Sequence, residues 1–335
     1  MARKLLIFIL VLIILLAGVY FYINHKIYTP LSSDKTEKMF IIEKGDTVKE
    51  IGYSLEEQGL INSSFYFETY IYYEKLGSKL QAGIYGLSSS MSIPEIVDWF
   101  VKGRANQVKL TIPEGWRAIQ IAERLDEAGV INNEEFLEHL QSLDKLKSEE
   151  YNFLDEIPQS QSLEGFLFPD TYIFYKESKA DDVIGKMLEN FDKKLTFDLR
   201  EEIEKQDKTI FEIVTLASII EREAKTHDEM PEIASLYWNR LEIGMKLDAD
   251  PTIQYAKGNW ERLEVSDYKT VSSYNTYLHK GLPPGPICNP GLEAIRAAIY
   301  PKKTNYLYFF HSKEGKVYFS ESKEEHDRKK VKYLK

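Results

Sequence analysis

The amino-acid sequence predicts an α+β protein built from one N-terminal transmembrane helix, a small α/β module and a larger, mixed α+β domain. Three observations lead to this fold class. A long apolar run lies near the start of the chain, a strand–turn–helix pattern occurs twice, and helical and strand patterns then mix without a regular βαβ rhythm. The chain has 335 residues, of which 43% are hydrophobic, so it can bury a sizeable core.

The first element is an apolar run from Leu5 to Ile23, which is long enough to cross the roughly 30 Å hydrocarbon core of a bilayer. Arg3 and Lys4 precede it, so the positive-inside rule predicts residues 1–4 in the cytoplasm and the rest of the chain beyond the membrane. A cleaved signal peptide is the alternative, but the run is long for one and lacks an Ala-x-Ala site. We therefore expect a transmembrane helix at 5–23 and a short tether at 24–38.

A weak internal repeat follows, in which residue 42 corresponds to residue 112. Ile42-Glu-Lys-Gly45 opens a stretch that ends near Gly59, and Ile112-Pro-Glu-Gly115 opens one that ends near Gly129. Each copy predicts a strand, a glycine turn and an amphipathic helix. Gly59 and Gly129 are placed at the helix C-termini, where a positive φ favours glycine.

The repeat also suggests how the chain divides. A small strand–helix module outside the membrane resembles a LysM-type wall-binding unit, and a purely structural duplication is the alternative. We expect the LysM-like module at 39–108 and the larger domain at 109–335, whose residues 109–145 repeat the strand–helix unit.

Apolar spacing and turn residues predict the remaining elements. They are a strand at Leu80–Leu87, helices at Ile93–Val101, Ala180–Gln206 and Ile210–Ala224, a charged surface segment at Ser142–Glu150, a Pro/Gly-rich loop at Pro283–Pro290, and a hairpin at Tyr306–Phe310 and Val317–Phe319. Asp250 precedes Pro251 and is therefore expected in an extended or turn conformation.

Composition excludes several classes of function. The net charge of −10 argues against nucleic acid as a partner, because phosphate binding needs a basic surface. Cys288 is the only cysteine, so the chain has no internal disulfide. The six histidines are scattered, with no H-x-x-x-H pair, so we expect neither a metal site nor a cofactor.

Glu221 is the candidate catalytic acid. It follows Ile210–Ile220, which is apolar on nearly all faces and should be buried. A carboxyl at the end of such a helix is desolvated, which raises its pKa and keeps it protonated, as a general acid requires. Glu223 points about 200° away from Glu221 around a helix, so the two do not share a cleft. The alternative is an ordinary polar turn that ends a core helix.

Further motifs carry a family resemblance. Leu216-Ala-Ser-Ile-Ile-Glu-Arg-Glu223, Glu164-Gly-Phe-Leu-Phe-Pro-Asp-Thr-Tyr172, Asp250-Pro-Thr, Tyr274-Asn-Thr-Tyr277, Gly281-Leu-Pro-Pro-Gly285 and Tyr306-Leu-Tyr-Phe309 closely resemble motifs of the MltG/YceG-like endolytic murein transglycosylases, in the same order. The resemblance covers nearly all of the chain past residue 40. It implies that Glu221 is the catalytic acid. Candidates for orienting or binding substrate are Glu164, Asp250, Gln254, Tyr274 and Asn275.

The resemblance implies a membrane-anchored lyase that cuts nascent glycan strands of peptidoglycan between MurNAc and GlcNAc. The resemblance also implies that the reaction leaves a 1,6-anhydro-MurNAc end, that it terminates strand elongation, and that a peptidoglycan synthase is a partner. Most glycosidases need two carboxylates. A lytic transglycosylase needs one, because the C6 hydroxyl of the sugar replaces water. A single well-placed Glu fits that chemistry.

Two alternatives remain. A non-catalytic wall-binding scaffold would share the anchor and the module. A penicillin-binding type of serine enzyme would use S-x-x-K, S-x-N and K-T-G, which Ser142-Leu-Asp-Lys145, Ser273-Tyr-Asn275 and Lys303-Thr-Asn305 imitate. Asn305 stands where that class requires glycine, which weighs against it.

Overall fold

A computed structural model describes residues 2–103, 107–141 and 151–334 of the chain. Helices and strands are mixed, which confirms the α+β fold class. The predicted segment Ser142–Glu150, which includes Ser142 of the serine-enzyme alternative, lies outside the described residues.

The first helix, α1, runs over Ala2–Tyr28. Within the described part of the chain, its segment Ile7–Tyr28 is the one helical stretch long and apolar enough to span a membrane. The helix contains the predicted apolar run and continues through the first five residues of the predicted tether. It continues because the first helix breaker after the apolar run is Pro30.

The contacts within the chain divide it into two compact units. The first holds the residues up to Lys109 together with Ile173–Lys176. Its helices are α1, α2 (Val48–Glu57), α3 (Ser64–Glu74) and α4 (Ile93–Val101). Strand β1 (Lys38–Ile42) pairs antiparallel with β2 (Gly83–Leu87), and Phe40 lies opposite Tyr85. The beginning of β3 (Gln107–Thr111) extends this sheet.

The core of the first unit is aromatic. Phe40, Phe67 and Tyr85 are fully buried around Phe100, with ring centroids 4.8 to 6.5 Å from it. Ile27 of α1 belongs to the same core. Helix α4 has the predicted bounds, because its apolar spacing and the capping box between Ser92 and Glu95 both fix it.

The second unit comprises Leu110–Tyr172 and the chain from Glu177 onward. It opens with α5 (Ala118–Glu127) and α6 (Asn133–Leu140), and strand β4 (Thr171–Tyr175) carries the chain into the first unit and back. The helices that follow are α7 (Ala180–Lys194), α8 (Phe197–Lys205), α9 (Ile210–Glu223), α10 (Met230–Glu242), α11 (Asp250–Lys257), α12 (Leu292–Ile299) and α13 (Lys323–Tyr333). The predicted hairpin is present as β5 (Tyr308–His311) and β6 (Val317–Ser320).

The internal repeat is visible in the structure. Helix α2 begins and ends seventy residues before α5, since 118 − 48 and 127 − 57 both equal 70. Gly59 and Gly129 follow these helices with φ values of 64° and 69°, which confirms the predicted positive φ. One copy lies in each unit.

Two predictions of local structure are wrong. The predicted helix Ala180–Gln206 is divided between α7 and α8 at Leu195, whose carbonyl accepts a hydrogen bond from Arg200 Nε at 2.8 Å. That bond gives the Leu195 carbonyl a partner in place of the backbone N–H that it would accept in a continuous helix. Asp250 is not extended, because it begins α11, and Pro251 occupies the first turn, where no backbone N–H is needed.

Candidate active site

Helix α9 is the most deeply buried helix around the candidate acid. A capping box between Thr209 and Glu212 begins it, and all its residues from Ile213 to Ile220 are buried. It ends at Ala224, which is extended with ψ 141°. Glu221 therefore lies in the last turn, where the buried face of the helix reaches the surface.

The Glu221 carboxyl is half-buried and is held by one backbone group. The N–H of Gly291 donates to its Oε2 at 3.0 Å. Among the described residues, none hydrogen-bonds to Oε1, so that oxygen is available to carry a proton. Burial raises the pKa of Glu221, and the Gly291 N–H opposes this effect. The raised pKa agrees with the expectation for a carboxyl at the end of an apolar helix.

Glu114 is a second carboxyl near the candidate acid, and the sequence analysis did not select it. Its negative charge also raises the pKa of Glu221, whereas the nearby charges of His227 and Arg222 lower it. A Cβ at Gly291 would overlap Glu114 Oε1, so the Glu114 carboxyl lies directly against the glycine that holds Glu221. Gly291 therefore contacts both carboxyls, although its N–H donates only to Glu221.

Gly115 brings the Glu114 loop close to α9. Its φ is +75°, and a Cβ there would lie 3.5 Å from Glu221 Cγ and 3.3 Å from Arg222 Nη1. Glycine therefore meets both a backbone and a space requirement. Gly115 corresponds to Gly45 of the first copy, but Glu114 stands where that copy has Lys44. This difference between the copies is the signal that could have identified Glu114.

The predicted Pro/Gly-rich loop is attached to α9 along its buried side. Ser218 Oγ accepts a hydrogen bond from Ile287 N at 3.0 Å, and the Cys288 thiol donates to the Ser218 carbonyl at 3.3 Å. Gly165 packs on the same loop, since a Cβ there would lie 2.5 Å from Pro286. These contacts fix the backbone that ends in Gly291.

Glu164 is buried, with 7% of its surface exposed, at the other side of this loop. Its Oε1 accepts hydrogen bonds from the N–H of Ala118 at 2.9 Å and from Asn289 Nδ2 at 3.1 Å. Burial nevertheless raises its pKa to about 7. The candidate acid and Glu164 are therefore held by loop residues only two positions apart, Gly291 and Asn289.

Asn289 connects three segments through a fully buried amide. Its Oδ1 accepts from the N–H groups of Gly165 and Leu167, both at 2.9 Å. Its Nδ2 donates to the Trp116 carbonyl at 3.0 Å, in addition to Glu164. The sequence alone does not reveal this role of Asn289, because its partners are more than a hundred residues away along the chain.

Glu223 has a different environment from Glu221, as the helical geometry predicts. Its Oε1 accepts a hydrogen bond from the Tyr237 hydroxyl on α10 at 3.1 Å. Burial raises the pKa of Glu223 to about 7, and the charge of Asp250 contributes. A raised pKa alone therefore does not distinguish the three carboxyls. Glu221 differs from Glu164 in being only half-buried and from Glu223 in having no side-chain donor among the described residues.

The other candidate residues occupy several places in the second unit. Asp250 accepts hydrogen bonds from the hydroxyls of Tyr277 at 2.7 Å and Tyr268 at 3.5 Å. Gln254 donates to the carbonyls of Trp260 and Glu261, at 3.3 and 2.8 Å, and so holds the loop after α11.

Tyr274 and Asn275 are adjacent in sequence but differ in exposure. The Tyr274 hydroxyl donates to Gln161 Oε1 at 3.1 Å, and its half-buried ring lies 4.8 Å from that of Tyr255. Asn275 is fully buried, and its amide donates to the carbonyls of Tyr268 and Thr270. This geometry favours a role for Asn275 in holding its loop rather than in touching a ligand.

A cation–aromatic cluster adjoins the candidate acid. The Arg222 guanidinium lies 4.0 Å from the centroid of the Trp260 ring, and the Arg117 guanidinium lies 4.5 Å from that of Tyr255. Arg117 is also 5.9 Å from the Trp260 centroid. These half-buried residues suit a polar ligand with apolar faces, such as a sugar, and the sequence analysis did not select them.

Over the residues that the structure covers, no group of three His, Cys, Asp or Glu side chains is arranged to hold a metal ion. The carboxyls of Glu164, Glu223 and Asp250 instead accept hydrogen bonds from a backbone N–H group, an amide and tyrosine hydroxyls, and that of Glu221 accepts one from the Gly291 N–H.

Comparison with known proteins agrees with the motifs. A sequence profile of the YceG-like family matches residues 40–332. An endolytic murein transglycosylase of Bacillus subtilis strain 168 is 31% identical, covering 96% of this chain and 91% of the relative. One of Streptococcus pneumoniae R6 is also 31% identical, but this chain spans only 63% of its length.

A solved structure supports the fold as well. The crystal structure of a putative YceG-like protein from Listeria monocytogenes superposes with a TM-score of 0.62 at 33% identity, covering 88% of this chain and 99% of that one. The profile and the Bacillus relative each extend over most of the chain, and the motifs around Glu221 lie within the matched residues. This chain therefore belongs to the YceG-like family.

Proposed function

We propose that this protein is an endolytic lytic transglycosylase, a lyase that cuts peptidoglycan glycan strands, with Glu221 as its acid. The Bacillus and Streptococcus relatives bear the name endolytic murein transglycosylase. The observation that carries the assignment of Glu221 is its half-buried carboxyl with a raised pKa, one oxygen fixed by the Gly291 N–H. A protonated, oriented carboxyl at the surface is what cleavage of a glycosidic bond needs.

The reaction uses Glu221 twice. The protonated carboxyl gives its proton to the glycosidic oxygen between MurNAc and GlcNAc, and the bond to C1 of MurNAc breaks. The C6 hydroxyl of the same MurNAc then bonds to C1, and the Glu221 carboxylate takes its proton. The products are a GlcNAc with a free hydroxyl and a 1,6-anhydro-MurNAc end, and the enzyme regains its acid form.

The sequence predicts a single carboxyl at the site, but Glu114 lies close to Glu221. Its charge raises the pKa of Glu221, so its proposed role is to keep the acid protonated between turnovers. Glu164 has a different proposed role. Its oxygen accepts the Ala118 N–H and the Asn289 amide, so it positions the loop that bears Gly291.

The remaining assignments concern substrate contacts. Tyr274 and the ring of Trp260, with Arg117 and Arg222 beside it, are proposed to line the path of the glycan strand. Asp250 and Gln254 are proposed to hold these lining residues in place through their hydrogen bonds. Asn275, which is buried, is proposed to support the Tyr274 loop from inside.

The setting of the reaction is also a proposal. We place α1 across the membrane, with the N-terminus in the cytoplasm and both units on the outer side, because Arg3 and Lys4 precede the apolar segment. The first unit is proposed as a LysM-like glycan-binding module. Cutting nascent strands there, beside a peptidoglycan synthase, would terminate strand elongation.

The test compares two glutamine variants of the same helix. Glu221→Gln removes the proton donor, so purified peptidoglycan should yield no anhydro-ended fragments by mass spectrometry. Glu223→Gln removes a carboxyl that also has a raised pKa but is bonded to Tyr237, and it should retain activity if it folds. Normal release of anhydro ends by Glu221→Gln would exclude the proposed mechanism.

The products also separate the alternatives. Reducing ends instead of anhydro ends would indicate a hydrolase. Wall binding without any cleavage by the wild-type protein would indicate a scaffold. Covalent labelling by a fluorescent penicillin that is lost in Ser142→Ala would indicate the serine enzyme.

A further inference from the structure

Helix α3 packs against the end of the apolar helix α1. Ile27 of α1 is buried in the core of the first unit, and the ring of Tyr28 meets that of Tyr70 edge-on at 6.3 Å. A groove of about 430 Å³ separates the two helices further along. Residues on both helices line it: Tyr20, Ile23, Asn24, Tyr70, Tyr73 and Glu74.

The sequence of α1 sets the height of this groove relative to a bilayer. About 20 helical residues cross the hydrocarbon core. If the crossing begins after Lys4, its far boundary therefore falls close to Asn24. Because Asn24 and Tyr73 line the same groove, the C-terminal half of α3 lies at this boundary.

The solvent-facing side of α3 is unusually aromatic. Six of its eleven residues are Phe or Tyr. Tyr72 is 87% exposed, Tyr73 is 76% exposed and Phe65 is 58% exposed. Phe65 and Tyr72 are seven residues apart and therefore lie on one face of the helix. Tyrosine is enriched at membrane–water interfaces, where the ring contacts acyl chains and the hydroxyl contacts headgroups.

We propose that α3 lies in the headgroup region of the membrane that α1 crosses, with Phe65, Tyr72 and Tyr73 in contact with lipid. The exposed aromatic face belongs to a helix that packs on the anchor at the level where the anchor leaves the hydrocarbon core, so the face is continuous with the membrane surface. The inference rests on the membrane anchor in the proposed function, but not on the catalytic assignment. It gives the first unit a fixed orientation on the lipid surface.

The test places an environment-sensitive fluorophore on single introduced cysteines in the full chain, reconstituted in vesicles of phosphatidylcholine and phosphatidylglycerol. Tyr72→Cys and Tyr73→Cys probe the proposed face. Tyr53→Cys is the matched control, because Tyr53 is a tyrosine of the same unit that is 64% exposed but does not line the groove. Cys288 is fully buried, and a sample without an introduced cysteine measures any labelling there.

Lipids with a nitroxide near the headgroup should quench most of the emission at positions 72 and 73 and leave that at 53 nearly unchanged. If the protein floats with the vesicles but all three positions are quenched equally, the anchor stands and the proposed contact of α3 with lipid is wrong. If the protein does not float, both the membrane anchor and the contact of α3 with lipid are wrong. The glutamine variants of Glu221 and Glu223 test catalysis independently. If soluble glycan strands protect positions 72 and 73 and the lipid quencher does not reach them, α3 binds carbohydrate and the proposal is wrong.

Discussion

Replacing Asn289 with alanine should both destabilise the second unit and inactivate the enzyme. The amide of Asn289 makes four hydrogen bonds inside the protein, to Gly165, Leu167, Trp116 and Glu164. Alanine removes all four and leaves a cavity too enclosed for easy access by solvent, since Asn289 is fully buried.

The four lost hydrogen bonds contribute unequally to the free-energy cost of the substitution. The Trp116 carbonyl still accepts the backbone N–H of residue 289 at 2.8 Å, and Glu164 still accepts the Ala118 N–H. The N–H groups of Gly165 and Leu167 are buried, and within the described residues they have no other acceptor. Each buried group left without a partner costs about 1–3 kcal/mol, so Asn289→Ala should cost about 4 kcal/mol.

Urea unfolding measures this cost, and Asn190→Ala is the matched control. The Asn190 amide donates to Asp170 and to the Tyr172 hydroxyl, both at 3.0 Å, but it is half-buried and water can replace it. We expect the control to lose about 1 kcal/mol. Because the loop also bears Gly291, Asn289→Ala should release few anhydro ends even below its unfolding transition. Equal unfolding free energies for the two variants would refute this account of Asn289.

Two further predictions concern pH. Glu114→Gln removes a negative charge that raises the pKa of Glu221, so the alkaline limb of the rate profile should move to lower pH. His227→Gln should move the limb to higher pH, and an unmoved limb in both would exclude these charges from tuning the acid. Glu164 has a folded-state pKa of about 7 against an ordinary value of 4.5, so its stabilising contribution is complete below pH 4.5 and is lost as pH rises to about 7. Wild type should therefore lose about 3 kcal/mol relative to Glu164→Gln across that window in urea titrations, and a constant difference would contradict the raised pKa.

Sequence patterns correctly predict the helices whose ends depend on interactions between residues close together in the chain. Helix α4 has the predicted bounds, and α9 differs by one residue, because apolar spacing and capping boxes act within a few residues. The break at Leu195 was missed because it depends on Arg200, whose side chain stabilises an otherwise continuous helical pattern. The sequence misplaces Asp250 because the extended conformation that a following proline favours gives way here to a helix start, in which Pro251 fits the first turn.

The candidate site was only partly predictable for a related reason. Glu221 could be selected because a carboxyl at the end of an apolar helix is visible in one stretch of sequence. Asn289 could not, since its hydrogen bonds join segments more than a hundred residues apart, and the one sequence signal for Glu114 is that it stands where the first copy of the repeat has Lys44. Trp260 and the arginines beside it form their cluster through the same kind of distant contact.

The two copies of the repeat differ in how their helices begin. In α2, Thr47 and Glu50 close the first turn with their own side chains. In α5, Arg117 replaces Thr47. Gln120 Oε1 still accepts the Arg117 N–H at 3.1 Å, as Glu50 accepts that of Thr47, but the Ala118 N–H donates to Glu164 of a distant segment. The first turn of the second copy is thus completed partly by Glu164, a residue of the candidate site, and the position that caps the first copy instead places the Arg117 guanidinium against Tyr255. Grafting the second copy alone into another protein would leave the Ala118 N–H without its Glu164 acceptor, whereas the first turn of the first copy is capped by Thr47 and Glu50 of that copy.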